Sequence, residues 1–192
     1  MTDQLAEVAG NDMLRAEIRR LQDEVARLEE RVQQLDELAH QDSMVALPNR
    51  RGFMRELDRV IERARRHGDT AAMLFVDLDG LKMINDSFGH KAGDQALIQV
   101  AELLVRGVRR SDCVARIGGY EFSNLLDRAD DVSAQETAGR LANLIAGCEL
   151  FHDGDVLPLS VAIGFAMISG DDDADTVMSR ADAEMYKRKA AA

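Results

Sequence analysis

Arg116-Ile-Gly-Gly-Tyr-Glu-Phe122 is the stretch from which the rest of the chain is read. Two glycines stand between the apolar stretches Cys113–Ile117 and Phe122–Leu126, the pattern of a hairpin. Glycine tolerates the positive φ of a tight turn and lets a ligand approach the backbone. Glu121 follows directly, and an acid just before it would complete the paired carboxylates of a metal site for phosphoryl transfer. The residue at that place is Tyr120.

Upstream, Ala71–Val76 is an apolar run of strand length, and Asp77 and Asp79 leave its end. Two residues apart on a strand, both carboxylates point to the same face. On their own they fit either a metal pair or a capped turn. Asn85, Asp86, Gly89, His90, Gly93 and Asp94 follow within a short stretch, where glycines open backbone N–H groups to a phosphate and the next helix adds its dipole. Helices are expected at about 50–67, 91–108, 133–147 and 174–189, with a further strand over 157–167. Helices alternating with strands around one antiparallel hairpin give an α/β class, with a sheet flanked by helices.

Ahead of this domain, Leu14, Ile18, Leu21, Val25, Leu28, Val32, Leu35 and Ala39 alternate by four and three residues. That 3.5-residue period is a coiled-coil seam, and β-branched residues at a with leucine at d favour a parallel pair. A single amphipathic helix packed on its own domain is the alternative. The organisation expected is a disordered N-terminus at 1–11, a parallel dimeric coiled coil at 12–41 and an α/β domain at 42–192. Pro48, with Asn49 after it, marks the turn before the domain's first helix.

The 192 residues allow one ordinary domain plus an appendage, and 46% apolar content with a mean hydropathy of −0.24 indicates a globular protein. A formal charge of −11 argues against nucleic acid as a partner, because phosphate backbones need a basic face. A small nucleotide is not excluded, since a divalent cation can neutralise it. With no apolar run of the ~18 residues that span a bilayer, the expectation is a cytoplasmic protein with no membrane partner. Cys113 and Cys148 read as buried reduced thiols.

The order of these pieces resembles the GGDEF domain of diguanylate cyclases. Leu47-Pro-Asn-Arg-Arg51 comes first, followed by Asp77-x-Asp-x-x-Lys82-x-Ile-Asn85-Asp86-x-x-Gly89-His90-x-x-Gly93-Asp94. Arg109-x-x-Asp112 and Gly118-Gly119-x-Glu121-Phe122 come next, and Ser160–Gly164 and Ala181–Lys189 close the series. The resemblance covers about 42–189. It implies a palm-like domain with a mostly antiparallel central sheet, condensation of two GTP molecules into cyclic di-GMP with release of pyrophosphate, and Mg2+ or Mn2+ as cofactor. It also implies a homodimer facing two such domains together, in bacterial signalling; no further protein partner can be named.

Carried over by position, the resemblance makes Asp77, Glu121 and the backbone of Leu78 metal contacts. Asn85 and Asp94 become readers of the guanine edge, since Asp94 can accept from N1–H and the exocyclic amine. Lys82 and Lys189 become phosphate partners, with Gly118 and Gly119 beside the substrate. Arg109, Asp112 and Arg140 correspond to an inhibitory site for cyclic di-GMP, although Arg109 and Asp112 could equally form a surface ion pair. The departure is Tyr120, at the position where the family carries an acid with a metal or base role. A phenol of pKa ~10 cannot replace a hard anionic ligand, and losing such a group costs roughly 10²- to 10⁴-fold in rate. The expected protein is a degenerate cyclase that binds cyclic di-GMP or GTP, with an active cyclase as the alternative.

Overall fold

The computed structural model describes the backbone of residues 2–191 and the side chains of 15–190 apart from 16 and 37. The chain divides into two compact units, 1–39 and 40–192. The first is one helix, α1 (Thr2–His40). It begins ten residues before the expected coil and so replaces the disordered segment expected at 1–11. Gln4, Leu5, Ala6 and Glu7 are good helix formers, and Gly10 alone does not end a helix that continues on both sides. Ile18, Leu21, Val25, Leu28, Val32 and Leu35 are each at least half exposed along it. Leu14, at the head of that seam, lies outside the described side chains.

The second unit starts from a turn closed by a bridge between Gln41 and Pro48. Asn49 then caps α2 (Arg50–His67), its side chain accepting from the N–H groups of Arg51 and Gly52, and Gly68 at φ 70° ends it. Phe53, Leu57, Val60, Ile61 and Ala64 form the buried stripe of this helix. β1 (Ala71–Leu78) is buried at all eight positions, as expected of a central strand covered on both faces. Then follow α3 (Leu81–Phe88), α4 (His90–Arg106) and the strands β2 (Cys113–Arg116) and β3 (Glu121–Asp127). The chain continues through α5 (Asp131–Ala146), β4 (Glu149–His152), β5 (Asp155–Pro158), β6 (Val161–Ile168) and α6 (Ala174–Ala191).

β2, β3, β1 and β6 form one sheet in that order, with every neighbouring pair antiparallel. Alternation along β1 divides the core. Ala72, Leu74 and Val76 join the cluster that contains the buried faces of α4 and α5, and Ala71, Met73 and Phe75 join the one that contains those of α2 and α6. The single strand expected at 157–167 is two, β5 and β6. Pro158, which has no N–H for a ladder, ends the first, and β4 and β5 form a separate two-stranded sheet. Cys113 and Cys148 are free thiols and only half-buried; burial and then the Glu56 charge push the Cys113 thiol up to about 11, which makes it unreactive at neutral pH.

Asn124, in the middle of β3, is fully buried among apolar neighbours, and neither its Nδ2 nor its Oδ1 has a hydrogen-bond partner. A buried polar group left unpaired costs about 1–3 kcal/mol. Asn124→Leu, close to isosteric, is therefore expected to raise the thermal midpoint by several degrees, at about 2–4 °C per kcal/mol for a chain of this size. Thermal unfolding followed by circular dichroism measures this, and a lowered midpoint would count against the unpaired burial of Asn124.

Candidate functional site

The β1–β3 register sets Asp77 directly opposite Glu121. Asp77 is 5% exposed, and both side chains point to the sheet face covered by α2 and α6. Like charges opposite each other on neighbouring strands repel. Burial, then Asp77 and then Asp182 push the Glu121 carboxyl above its ordinary range, while Arg50 at the start of α2 pulls it back. Lys189, near the end of α6, reaches the same place: its Nζ hydrogen-bonds Asp77 Oδ1 and lies 3.3 Å from Asp79 Oδ1. The hydrogen bond to Asp77 raises the Lys189 pKa, so the ammonium stays charged. Asp79 is further held by Ser160, whose hydroxyl donates to Oδ2 at 3.1 Å and whose carbonyl accepts the Asp79 N–H at 3.0 Å. A cleft of about 540 Å³ opens beside Asp79 and Lys189, walled by α5 and β6.

The hairpin is formed as expected, but neither of its glycines has a positive φ. Gly118 is required for another reason. A Cβ there would stand 2.0 Å from Glu121 Oε2, because the carboxylate folds back over the turn. Arg116 closes the turn by donating to the Gly119 carbonyl at 2.8 Å, and it pairs with Asp42 at 3.2 Å. The Tyr120 carbonyl accepts the Leu78 N–H at 3.0 Å, while the phenol is 48% exposed. The donor set suits a hard cation: two facing carboxylates are what Mg2+ takes from a protein when phosphates and water supply the rest. Among the described residues no group of three or more His, Cys, Asp or Glu converges on one point, so Tyr120 leaves the set at two side chains.

Gly80, at φ 68°, turns the chain from β1 into α3, which carries Lys82 on its exposed side and Asn85 half-buried. Asn85 Oδ1 lies on Gly93, where a Cβ would meet it at 2.0 Å, so Asn85 and the neighbouring exposed Asp94 share the corner between α3 and α4. Both can present hydrogen-bonding groups to one planar base there.

A second site lies at the far end of β3, roughly 20 Å from Glu121 at ~3.3 Å per residue. A cavity of about 450 Å³ is lined by Arg106, Arg109, Asp112, Arg128 and Arg140 among others. Arg109 and Asp112 do not form a side-chain ion pair. Asp112 instead accepts from the backbone N–H groups of Arg109 at 2.8 Å and Asp127 at 3.1 Å, which fixes the loop. Arg140 donates to the Gly107 carbonyl and, at 3.3 Å, to the Thr137 hydroxyl. The guanidiniums of Arg106, Arg109 and Arg128 have no hydrogen bond or ion pair among the described residues.

Residues 39–192 match the family model described as "Diguanylate cyclase, GGDEF domain". The chain belongs to the GGDEF family. It is 33% identical over 150 residues to the diguanylate cyclase DgcP of Pseudomonas aeruginosa, covering 78% of this chain and 22% of that protein. It is 38% identical over 153 residues to the bifunctional diguanylate cyclase/cyclic di-GMP phosphodiesterase MucR of the same species, covering 79% and 22%. The chain thus spans about a fifth of the length of these two relatives. Among solved structures, the coiled coil and GGDEF domain of DgcB from Caulobacter crescentus, in complex with cyclic di-GMP, aligns with a TM-score of 0.83 at 30% identity, covering 93% of this chain and 95% of that one. SiaD of Pseudomonas aeruginosa, in complex with its activator SiaC, aligns at 0.77 and 26% identity, covering 99% and 76%. These relatives place the GGDEF unit in cyclic di-GMP signalling. No helix among the described residues is long and apolar enough to cross a membrane.

Of the residues singled out by the sequence, the fold brings Asp77, Glu121 and Lys189 together, sets Asn85 beside Asp94, and gathers Arg109, Asp112 and Arg140 around one cavity. The sequence did not point to Arg50 and Arg116, whose partners no local pattern announces, nor to Arg106 and Arg128, which reach the cavity only through the fold. Glu121 supplies a test by pH. Its folded pKa lies above the ordinary 4.5, so stability is full below that value and is lost as pH rises through the folded pKa. Glu121→Gln should therefore unfold at a higher temperature than the ligand-free wild type at pH 7, with the gap closing as the pH falls below about 4.5. An equal gap at both pH values would contradict the repulsion.

Proposed function

We propose that this chain is a dimeric cyclic di-GMP-binding GGDEF protein with lost or strongly reduced diguanylate cyclase activity. The observation that carries the binding half is the cavity at Arg109, where guanidiniums without protein acceptors surround a space of nucleotide size in a chain of net charge −11. Arginine suits the ligand, because its planar fork can hold phosphate bidentately or bond the Hoogsteen edge of guanine. Asp112 positions Arg109 and keeps lone pairs for a base N–H, and Arg140 is the second contact.

The loss of turnover rests on Tyr120. At the active end, Asn85 and Asp94 read guanine, Lys82 and Lys189 meet the phosphates beside Gly118 and Gly119, and Asp77, Glu121 and the Leu78 backbone would hold Mg2+ or Mn2+ with GTP. The bound cation would gather the triphosphate charge. With a neutral phenol in the place of an acid, the ribose hydroxyl lacks a carboxylate to favour its deprotonation. Dimerisation runs through the exposed apolar seam of α1 as a parallel coil over 12–41, which sets two domains side by side, and the protein acts in the bacterial cytoplasm. The second reading, an active cyclase, is favoured by the Asp77–Glu121 register, which retains two carboxylates for the metal, and by the family's named activity.

Incubation with GTP and Mg2+ followed by nucleotide chromatography separates the readings. The expected result is little or no cyclic di-GMP from the wild type and recovered synthesis from Tyr120→Asp; abundant product from the wild type would sink the degenerate reading. Calorimetry with cyclic di-GMP should give binding that weakens at least tenfold in Arg109→Ala, as loss of a charged hydrogen-bonding group implies. Equal binding by the two proteins would remove the proposed effector site.

A further inference from the structure

Among the described residues two non-glycine residues have a positive φ, Arg128 and Asp153, each at 50°. Asp153 sits with Gly154 in the two-residue turn between β4 and β5, where Asp-Gly is the preferred chemistry. Arg128 has no such reason. Arginine lacks the short side chain that lets Asn or Asp rest in the left-handed region, so its backbone is strained just after β3 ends. Its side chain makes no hydrogen bond or ion pair among the described residues, and folding therefore gains nothing visible from an arginine there.

What the strain does achieve is placement. Arg128 lines the same cavity as Arg109 and Arg140, and Arg106 at the end of α4 lines it too. The carboxylates of the cavity already have partners: Asp112 accepts two backbone N–H groups, Asp127 pairs with Arg63 at 3.0 Å, and Asp130 accepts the Ser133 N–H at 2.8 Å as the cap of α5. The lining carries four arginines, Arg106, Arg109, Arg128 and Arg140, against three aspartates, one of which is paired with Arg63, so the balance of charge is positive. It sits on exposed side chains that line the cavity, and those of Arg106, Arg109 and Arg128 have no acceptor among the described residues.

We infer that Arg128 and Arg106 are additional ligand-binding residues of this cavity, adding two guanidiniums that hold the phosphodiester charge of an anionic dinucleotide. The inference rests on the cyclic di-GMP reading of the Arg109 cavity and extends it. It assigns Arg128 a backbone conformation kept for binding at the expense of stability.

The test is calorimetry of the full chain with cyclic di-GMP, combined with thermal unfolding of the ligand-free protein, for wild type, Arg128→Gly, Arg128→Asn and Arg106→Gln. Gly and Asn both accept the left-handed conformation, so neither Arg128 variant should unfold earlier than wild type, and Arg128→Gly should unfold at the same temperature or higher. All three variants should bind about tenfold or more weakly, the loss expected of one charged hydrogen-bonded contact. Binding by the wild type that is unchanged in the variants overturns this inference alone. Weaker binding accompanied by a lowered unfolding temperature in both Arg128 variants overturns it as well, because the loop would then be the cause. Absence of binding by the wild type overturns this inference together with the reading on which it rests.

Discussion

The repulsion between Asp77 and Glu121 is the constraint around which this end of the sheet is arranged. Antiparallel pairing forces the two carboxylates to face each other, and the surrounding elements answer that one unfavourable contact. α6 delivers the Lys189 ammonium to Asp77, and α2 brings Arg50 near Glu121. Gly118 leaves out a side chain so that Glu121 can fold back over the turn. The two carboxylates are thus held facing each other with a cation supplied to each side, Lys189 at Asp77 and Arg50 near Glu121.

β3 connects this site to the arginine-lined cavity. Glu121 opens the strand and Asp127 closes it, its N–H donating to the carboxylate that fixes the Arg109 loop. The strand is paired on both sides and buried through its middle. The facing carboxylates and the arginine-lined cavity therefore stand at opposite ends of one stiff element. Arg116 adds a third tie, joining the hairpin turn to Asp42 at the domain's entrance. Burial opposes ionisation of Asp42, but the N–H groups of Val45 and Met44 together with Arg116 outweigh it and hold its carboxyl below the usual range.

Elements with local punctuation were legible. α2 runs from Arg50 to His67 as expected, because Pro48 and Asn49 start it and Gly68 stops it. The expected strand at 157–167 failed because an apolar run conceals the break at Pro158, which becomes visible only when β4 is found as the partner of β5. The start of α1 was missed because the heptad pattern fades before the helix does. The glycines of the hairpin were located correctly but for the wrong reason: what matters at Gly118 is the space taken by a side chain three residues on, and not φ.

Residue order alone was enough to locate most of the elements, the family resemblance and the chemical oddity of Tyr120, since hydrophobic period, turn residues and motif spacing are local properties. Which charges meet is not local. Lys189 reaches Asp77 across 112 residues of chain, Arg116 reaches Asp42 across 74, and Arg106 and Arg128 converge on one cavity from α4 and from the loop after β3. Those meetings follow from strand register and helix placement, which depend on burying two apolar faces at once and so exist only in the folded chain.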